Sequence, residues 1–399
     1  MFNDNELKKY AQTLWWGLQT ARTSPFTPGD FILVRFDQDA LPLAEAVFDL
    51  LIEKKLNPVM RLNLSTNMEK GFYGKSDEQQ LVTITPGDEE LMQNLNGLIS
   101  LIAPSSLTHL KDIDPARIGQ AAVARKFLRD IMEKREISGD FGWTLCVYPT
   151  KAYAEAAGMS IDEFKHQVIK ACFLNEDKPF EHWSSIFDEA EKVKSWLNGM
   201  DIQTLHLTSE NMDLTVTPGK DRRWLGVSGH NIPSFEIFLS PDWRGTTGTY
   251  YADQPSFRSG NYVEGVRLEF KDGKVIQSDA KEGAEFVRKQ LEMDEGACRL
   301  GEFSLTDRRF SKIDRFMANT LFDENFGGKY GNCHVAVGAS YADTYAGDQN
   351  ELDKTKKQEL GFNDSALHWD LVNTEPKTVT ATLTDGSTVL IYENGEFKQ

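Results

Sequence analysis

Three glutamates in the second half of the chain stand in apolar or tight-turn sequence, where a lone buried carboxylate is costly in free energy. They are Glu236 within residues 231–239, Glu302 within residues 300–303, and Glu324 within residues 321–325. Few lysines or arginines flank them, so a shared divalent cation is a natural partner for these carboxylates. The alternative is that each carboxylate pairs separately with a remote arginine.

Two histidines have the sequence context of further metal ligands. His368 and Asp370 are two residues apart, so in a strand both side chains point to one face and can bind the same ion. Such a spacing also occurs by chance on a surface strand. His334 is followed by a run of small residues that predicts a buried strand. The alternative to a metal ligand at this position is a neutral imidazole hydrogen-bonded to a backbone carbonyl. Cys333 beside it predicts a packed thiol, because no second cysteine is nearby in the sequence.

The other histidines lie in sequence that does not suggest metal binding. Three occur in the first half without acidic clusters, one sits among strand residues, and one follows a glycine in a predicted turn. We expect surface or packing roles for them. In chain order they are His109, His166, His182, His206 and His230.

Charge and composition argue against nucleic acid as a partner. The 399 residues include 61 acidic and 44 basic side chains, a formal charge of −17, which repels the phosphate backbone that dominates nucleic-acid binding. The simplest interpretation of this acidity is solubility, and the alternative is attraction of cationic substrates or metal ions.

Cysteine usage and hydropathy bear on the compartment. Cys146, Cys172, Cys298 and Cys333 form no CxxC pair, which argues against a disulfide framework and a structural zinc module. The apolar stretch near the N-terminus is too short for a signal peptide, and no window reaches the ~18 apolar residues of a membrane span. We therefore expect residence in the reducing cytoplasm and no membrane partner.

The first half of the chain alternates strands and helices. An amphipathic helix at residues 5–21 precedes predicted strands at 31–34, 58–62, 97–103 and 143–148, with helices at 41–53 and 118–134. This alternation predicts an α/β domain with a mostly parallel sheet covered by helices. No GxGxxG or GxxxxGK[ST] loop follows these strands, so phosphate binding is not indicated.

Beyond a predicted boundary near Gly199 the hydrophobic pattern changes from mixed helices and strands to mostly strands. Segments 204–207, 213–216, 266–270 and 388–392 alternate at the strand period, and Asp272-Gly273, Asp385-Gly386 and Asn394-Gly395 predict hairpin turns. One helix is expected at about residues 281–293, and residues 351–359 predict a solvated loop or short helix. The chain length favours two domains, which we place at residues 1–199 (α/β) and 200–399 (β-rich α+β).

Five short motifs, taken in order, resemble the aminopeptidase T / aminopeptidase S / PepS family of metallo-aminopeptidases. They are Asn231-Ile232-Pro233 with Glu236, Leu300-Gly301-Glu302, Leu321-Phe322-Asp323-Glu324-Asn325, His334 with Gly338 and Tyr341, and Gly361-x-Asn363-x-Ser365-x-x-His368-x-Asp370. The similarity is strongest from about residue 230 to the C-terminus. The N-terminal half is compatible with the family but less diagnostic.

The resemblance implies a two-metal site that removes amino acids from the N-terminus of peptides. The implied ligands are Glu236, Glu302, Glu324, His334, His368 and Asp370, with Glu302 as the bridge between the ions. Tyr341 matches the family's active-site tyrosine. The resemblance also implies a cytoplasmic homodimer whose catalytic domains enclose the active sites, and zinc, cobalt or manganese as the metal. Peptides with a free N-terminus are the expected substrates.

The implied mechanism gives the metal ions and Tyr341 separate tasks. Two ions lower the pKa of a shared water, polarise the scissile carbonyl and anchor the substrate's α-amine. We hypothesise that Tyr341 donates a hydrogen bond to the developing oxyanion. The general base is a carboxylate of the site, and Glu302 can serve only if it is not fully committed to both metals.

The chain departs from the family pattern at two points. Residues 326–331 lengthen the segment between Glu324 and His334, and Phe235 stands where glycine is common. We expect the longer segment to affect Glu324 most, and Phe235 to reshape the pocket for the substrate's first side chain. Two alternative functions stay open: another two-metal amide or ester hydrolase, and a binding protein that has lost catalysis.

Overall fold

Residues 2–399 are described by the computed structural model. The first helix begins with a reciprocal cap at Asn3, whose side chain accepts the N–H of Glu6 while the Glu6 carboxylate accepts the N–H of Asn3. The α-helices are α1 (Asp4–Thr20), α2 (Leu41–Glu53), α3 (Thr66–Lys75), α4 (Glu78–Val82), α5 (Asp88–Asn94), α6 (Pro115–Ile137), α7 (Lys151–Ala156), α8 (Ile161–Ala171), α9 (Pro179–Asn198), α10 (Ala284–Leu291), α11 (Thr320–Asp323) and α12 (Lys354–Glu359). Short 3₁₀ helices occupy Gln38–Ala40, Ala342–Thr344 and Gln349–Glu351.

The strands fall into two groups along the chain. In the first half they are β1 (Phe31–Phe36), β2 (Asn57–Leu62), β3 (Gly97–Ile102) and β4 (Gly142–Val147). In the second half they are β5 (Ile202–Thr208), β6 (Asp213–Thr217), β7 (Leu225–Gly226), β8 (Asn231–Ile232), β9 (Glu236–Leu239), β10 (Asp242–Ala252), β11 (Ser256–Arg258), β12 (Asn261–Val263), β13 (Val266–Lys271), β14 (Lys274–Asp279), β15 (Leu300–Thr306), β16 (Asn332–Gly338), β17 (His368–Asn373), β18 (Thr378–Leu383), β19 (Thr388–Glu393) and β20 (Glu396–Phe397).

The four strands of the first half are joined by β8, which comes from the second half, in a parallel sheet with strand order β2-β1-β3-β4-β8. Its inner strands β1 and β3 are buried along most of their length, which agrees with their nearly continuous apolar sequences. The prediction of an α/β region with a parallel sheet is confirmed.

The second half forms two antiparallel sheets and a small hairpin, β11–β12. The larger antiparallel sheet has the order β14-β13-β10-β6-β5-β18-β19-β20, and the smaller one has the order β17-β16-β15-β9-β7. The predicted turns are confirmed. Asp385-Gly386 lies between the paired strands β18 and β19. Asp272 and Gly273 have φ of 50° and 79°, and Asn394 and Gly395 have 54° and 83°. Such positive values at both central residues are typical of two-residue hairpins. The prediction of a β-rich second half is also confirmed.

The chain divides into two compact units, and each unit is built from three separate segments of the sequence. The first comprises Met1–Ser185, Val227–Ser234 and Met317–Leu321. The second comprises Ile186–Gly226, Phe235–Phe316 and Phe322–Gln399. The predicted boundary near Gly199 concerns domains that fold independently, and it stays a prediction. No helix of residues 2–399 is long and apolar enough to cross a lipid bilayer.

A buried lysine in the second unit bears on stability. Lys377 is 3% exposed, and its Nζ has no hydrogen-bond partner among the described residues. Burial lowers its pKa to about 8, although the nearby Cys333, Asp253 and Glu375 act to raise it. The unfolded chain keeps this proton up to about pH 10.5, so the cost of burying the charge is present below pH 8 and is lost as the pH rises through this window.

Replacing this lysine with a neutral side chain of similar length removes the cost. We expect Lys377→Met to raise the free energy of unfolding at pH 7 by about 3 kcal/mol, because one pKa unit corresponds to ~1.4 kcal/mol. The gain should shrink as the pH rises from about 8 toward 10.5. Urea unfolding at pH 7 and near pH 10.5 measures this gain in the free energy of unfolding. Lys271→Met, at an exposed lysine on β13, is the control. Equal stability of Lys377→Met and the parent protein at pH 7 would contradict this expectation.

Candidate metal centre

One face of the smaller antiparallel sheet collects the candidate ligands. Its register pairs Glu302 with Ala336 and Ala336 with Asp370, and it pairs Thr306 with Glu236. Residues directly opposite each other in antiparallel strands point to the same face. The even-numbered residues of β9, β16 and β17, and those of β15 from Glu302 onward, therefore share one face, which includes Glu236, Glu302, His334, His368 and Asp370.

The opposite face holds these strands in the interior. Its odd-numbered side chains are almost all apolar, and the following are at most 2% exposed: Ile237, Phe303, Leu305, Val335, Val337, Trp369 and Leu371. Burying this apolar face makes a shift of register costly, because a slip by one residue would exchange the two faces. The packing of the core thus holds the polar residues of the other face in place.

The first group of candidate ligands is Glu236, Glu302 and His334. The Nε2 atom of His334 lies 3.0 Å from Glu236 Oε2 and 3.1 Å from Glu302 Oε1. Glu236 is oriented by Ser304, whose Oγ donates to Oε2 at 3.1 Å. One ligand atom from each of the three residues lies within 4.8 Å of the other two, a spacing that can hold a metal ion.

Glu302 also belongs to a second group, with His368 and Asp370. The Nε2 atom of His368 lies 3.6 Å from Glu302 Oε2 and 3.3 Å from Asp370 Oδ1. Because Nδ1 of His368 donates to the carbonyl of Ala339 at 2.8 Å, the neutral ring directs its Nε2 lone pair toward these carboxylates. The two oxygens of Glu302 therefore face two different histidines.

Glu324 forms a third group, with His334 and Asp370. The segment after Glu324 folds back on it, because Asn332 at the start of β16 donates from Nδ2 to the carbonyls of Glu324 and Phe326, at 2.9 and 2.8 Å. Thr306 Oγ1 donates to the Glu324 carbonyl as well. The structure thus brings Glu324 to His334 and Asp370.

The electrostatics of the cluster reflect a shortage of positive charge. Burial raises the pKa of Glu302 to about 7, with the Glu236 carboxylate adding to the shift and His334 opposing it. Burial, Glu236 and Asp370 raise the pKa of Glu324 well above its usual value. Burial acts to lower the pKa of His334, yet hydrogen bonds to Glu236 and Glu302 raise it well above the ordinary value.

These donors fit divalent metal ions. Carboxylate oxygens and imidazole nitrogens without thiolates suit zinc-like or manganese-like ions. The Nε2 atom of His334 faces Glu236 and Glu302 and could serve as the nitrogen ligand. A bound cation would relieve the repulsion among the buried carboxylates. The candidate ligands are Glu236, Glu302, Glu324, His334, His368 and Asp370.

Tyr341 stands beside this cluster. Its ring centroid is 4.7 Å from that of His368, and its backbone N–H donates to Ser240 Oγ at 2.8 Å. Although Tyr341 is 38% exposed, local burial and the charges of Glu302 and Asp370 raise its pKa well above the ordinary value. The phenol therefore stays protonated near neutral pH and can donate a hydrogen bond.

The residues of the last motif that are not candidate ligands hold the loops around them. Asn363 donates from Nδ2 to the carbonyl of Gly338, and its backbone N–H donates to Ser340 Oγ. Ser365 donates from Oγ to Asp294 at 2.7 Å. These bonds position the segment that enters β17 at His368 and the segment that leads to Tyr341.

Residues expected in packing or surface roles lie outside the described metal-binding groups. His109 pairs with Glu69, and His206 pairs with Asp213. His230 pairs with Glu136, and the ring of His182 stacks on Phe173. His166 is exposed. Burial raises the pKa of Cys333 to about 12, as expected for a packed thiol.

Two features of the site were missed by sequence reasoning. Ser304 orients Glu236, and Ala336 leaves space between Glu302 and Asp370. The side-chain period of two in a strand could have identified both residues, since Ser304 follows Glu302 by two positions and Ala336 follows His334 by two positions. The side chain of Phe235 is fully buried, and its N–H donates to Asn325 Oδ1 at 2.5 Å. Its expected effect on the pocket for the substrate's first side chain stays a prediction.

Comparison with known proteins shows similarity along the whole chain. Residues 3–397 match the model of a family described as thermophilic metalloprotease (M29). Aminopeptidase AmpS of Bacillus subtilis is 28% identical over 333 residues, which cover 78% of each chain. Aminopeptidase T of Thermus aquaticus is 27% identical over 308 residues, which cover 72% of this chain and 73% of the relative.

A solved structure shares the fold. Wild-type AmpT from Thermus thermophilus superimposes with a TM-score of 0.79, covering 98% of this chain and 99% of the other. At 19% sequence identity this likeness concerns the fold alone. It includes both the parallel-sheet region and the β-rich region that carries the candidate metal centre.

Proposed function

The chain belongs to the thermophilic metalloprotease family M29, and from this premise we propose that its candidate metal centre would hold two divalent ions and, with them bound, would release N-terminal amino acids from peptides. The broader activity follows from the family and the relatives: the chain is a metal-dependent aminopeptidase, a hydrolase that acts on peptides. The proposal therefore concerns the number of ions and the tasks of individual residues.

The observation that carries the proposal is the position of Glu302. Its Oε1 faces His334 and its Oε2 faces His368, so one carboxylate takes part in two separate groups of candidate ligands. A carboxylate shared in this way suits a bridge between two ions. Since both oxygens are engaged, Glu302 is better suited to bridging than to acting as a free general base.

The protein's own residues prepare the site for hydrolysis. When bound, the ions supply Lewis-acid activation of water and of the scissile carbonyl. Ser304 holds Glu236, and the Ala339 carbonyl holds His368, so both side chains are oriented before a ligand arrives. Tyr341 keeps its proton and donates a hydrogen bond to the oxygen on which negative charge develops.

Further proposals concern the metal, the compartment and the assembly. The oxygen and nitrogen donors support zinc, cobalt or manganese. Four free thiols, three of them buried, support residence in the cytoplasm. A homodimer is proposed from the family resemblance, and sedimentation velocity on the purified protein tests it.

Metal removal tests the proposed function. We expect a chelator to abolish hydrolysis of leucine p-nitroanilide, and zinc, cobalt or manganese to restore it at two ions per chain by elemental analysis. The matched control is N-acetyl-leucine p-nitroanilide, which should resist cleavage because its amine is blocked. Equal cleavage of both compounds would favour a different amide hydrolase. Two bound ions without cleavage of any aminoacyl substrate would favour a binding protein.

A further inference from the structure

The sheet face that carries the candidate metal centre continues into an apolar area. Phe238 follows Glu236 by two positions on β9, so both side chains point to the same face. The register pairs Phe238 with Ser304 on one side and with Leu225 on the other. Phe238 and Leu225 therefore lie on the same sheet face as the candidate ligands and continue it toward β7 with apolar side chains.

Direct ring contacts connect this apolar area to the candidate ligands. The ring centroid of Phe238 is 5.9 Å from that of Tyr341, with the planes at 64°, an edge-to-face arrangement. Tyr341 in turn contacts the ring of His368 at 4.7 Å. Phe238 is thus separated from a candidate metal ligand by a single aromatic ring.

Exposure distinguishes Phe238 from the apolar side chains Phe235 and Val372 near the centre. Phe235 is 0% exposed, and Val372, which shares the face on β17, is 5% exposed. Phe238 and Leu225 are half-buried, so part of each side chain remains open. Of these four residues, Phe238 and Leu225 offer an apolar surface that a bound molecule can reach.

The rest of the face leaves little choice of direction for a substrate side chain. An aminopeptidase holds the amine and the first carbonyl of its substrate at the metal centre, so the first side chain must point away from it. Ser304, Thr306 and Asn332 share the face with the ligands, but they are 0% exposed. The partly open surface at Phe238 is apolar, and contact there removes apolar area from water.

We propose that Phe238, backed by Leu225, is a specificity-determining residue that contacts the side chain of the substrate's N-terminal residue. This inference rests on the proposed aminopeptidase function. The aromatic ring favours a branched aliphatic side chain over a small one, because only the larger side chain reaches the ring and is removed from water.

Substitutions at position 238 test the inference. Phe238→Ala and the milder Phe238→Leu are compared with the parent protein by kcat/KM for leucine and alanine p-nitroanilides. We expect the leucine-to-alanine ratio to fall roughly tenfold in Phe238→Ala and less in Phe238→Leu, the size of effect usual for a hydrophobic pocket. Phe31→Ala, at a 47% exposed phenylalanine of the first unit, is the matched control and should leave the ratio unchanged.

The measurements separate the failure of this inference from failure of the proposed function. If the parent protein cleaves neither anilide with metal bound, the proposed function is wrong and the inference falls with it. If the parent protein is active but both Phe238 variants keep its leucine-to-alanine ratio, the specificity role alone is wrong. Loss of bound metal in both variants would overturn it as well, because Phe238 would then support the metal centre instead of contacting the substrate.

Discussion

Glu302→Gln is expected to bind less than one metal ion per chain and to lose roughly 1000-fold in kcat/KM, since the Lewis-acid contribution of the ions amounts to several kcal/mol. The physical reason is that Glu302 belongs to two of the candidate groups of ligands. An amide at this position keeps the volume of the side chain but removes its negative charge. Elemental analysis and leucine p-nitroanilide hydrolysis measure the two effects on one preparation.

The control for this variant is Glu269→Gln, which makes the same chemical change at an exposed position on β13. It should keep both metal content and turnover. Circular dichroism on the metal-free proteins shows whether Glu302→Gln folds, as we expect, because an uncharged amide avoids the cost of a buried carboxylate. A folded Glu302→Gln protein that retains two ions and full activity would remove Glu302 from the proposed bridge.

Tyr341→Phe is expected to lower kcat by between about 100- and 1000-fold while leaving the metal content unchanged. The phenol of Tyr341 is placed beside His368 and keeps its proton, so its O–H is available where negative charge develops. The phenylalanine ring preserves the contacts with His368 and Phe238 but cannot donate. The loss should therefore appear in kcat more than in KM, because the hydrogen bond strengthens in the transition state.

Tyr251→Phe, on the larger antiparallel sheet, is the matched control and should behave like the parent protein. Steady-state kinetics with leucine p-nitroanilide and elemental analysis are applied to both variants. Unchanged kcat in a fully metal-loaded Tyr341→Phe protein would exclude the proposed donor role. A parallel loss of metal would point to a structural role for Tyr341 instead.

Much of the secondary structure could be predicted from local sequence, because local patterns depend on near neighbours in the chain. The helix predicted at residues 41–53 is α2, Leu41–Glu53. The strand predicted at residues 58–62 lies within β2, Asn57–Leu62. The helix expected at about residues 281–293 is shorter in the structure, Ala284–Leu291, and it begins after Gly283, whose φ is 80°. Helix ends depend on such backbone details, which periodicity does not report.

The candidate site was only partly predictable. The His-x-Asp spacing by itself implies that His368 and Asp370 share a face if they lie in a strand, since the side-chain period is a local property. The ligand set as a whole came from the order of the motifs. Neither pattern reports distances between strands, so the nearness of His334 to Glu236 and Glu302 became visible only in the structure.

The amino-acid sequence determined the types of donor, their order, and the alternation of polar and apolar residues along each strand. Tertiary structure decided which strands pair and in what register, because pairing between residues as distant as Glu236 and Thr306 depends on burying the apolar face of the whole sheet. It also brought Glu324 close to the other candidate ligands, with its backbone carbonyl bound by Asn332. It left the side chain of Phe238 partly exposed and buried that of Phe235. These outcomes depend on packing among distant segments, which no local pattern contains.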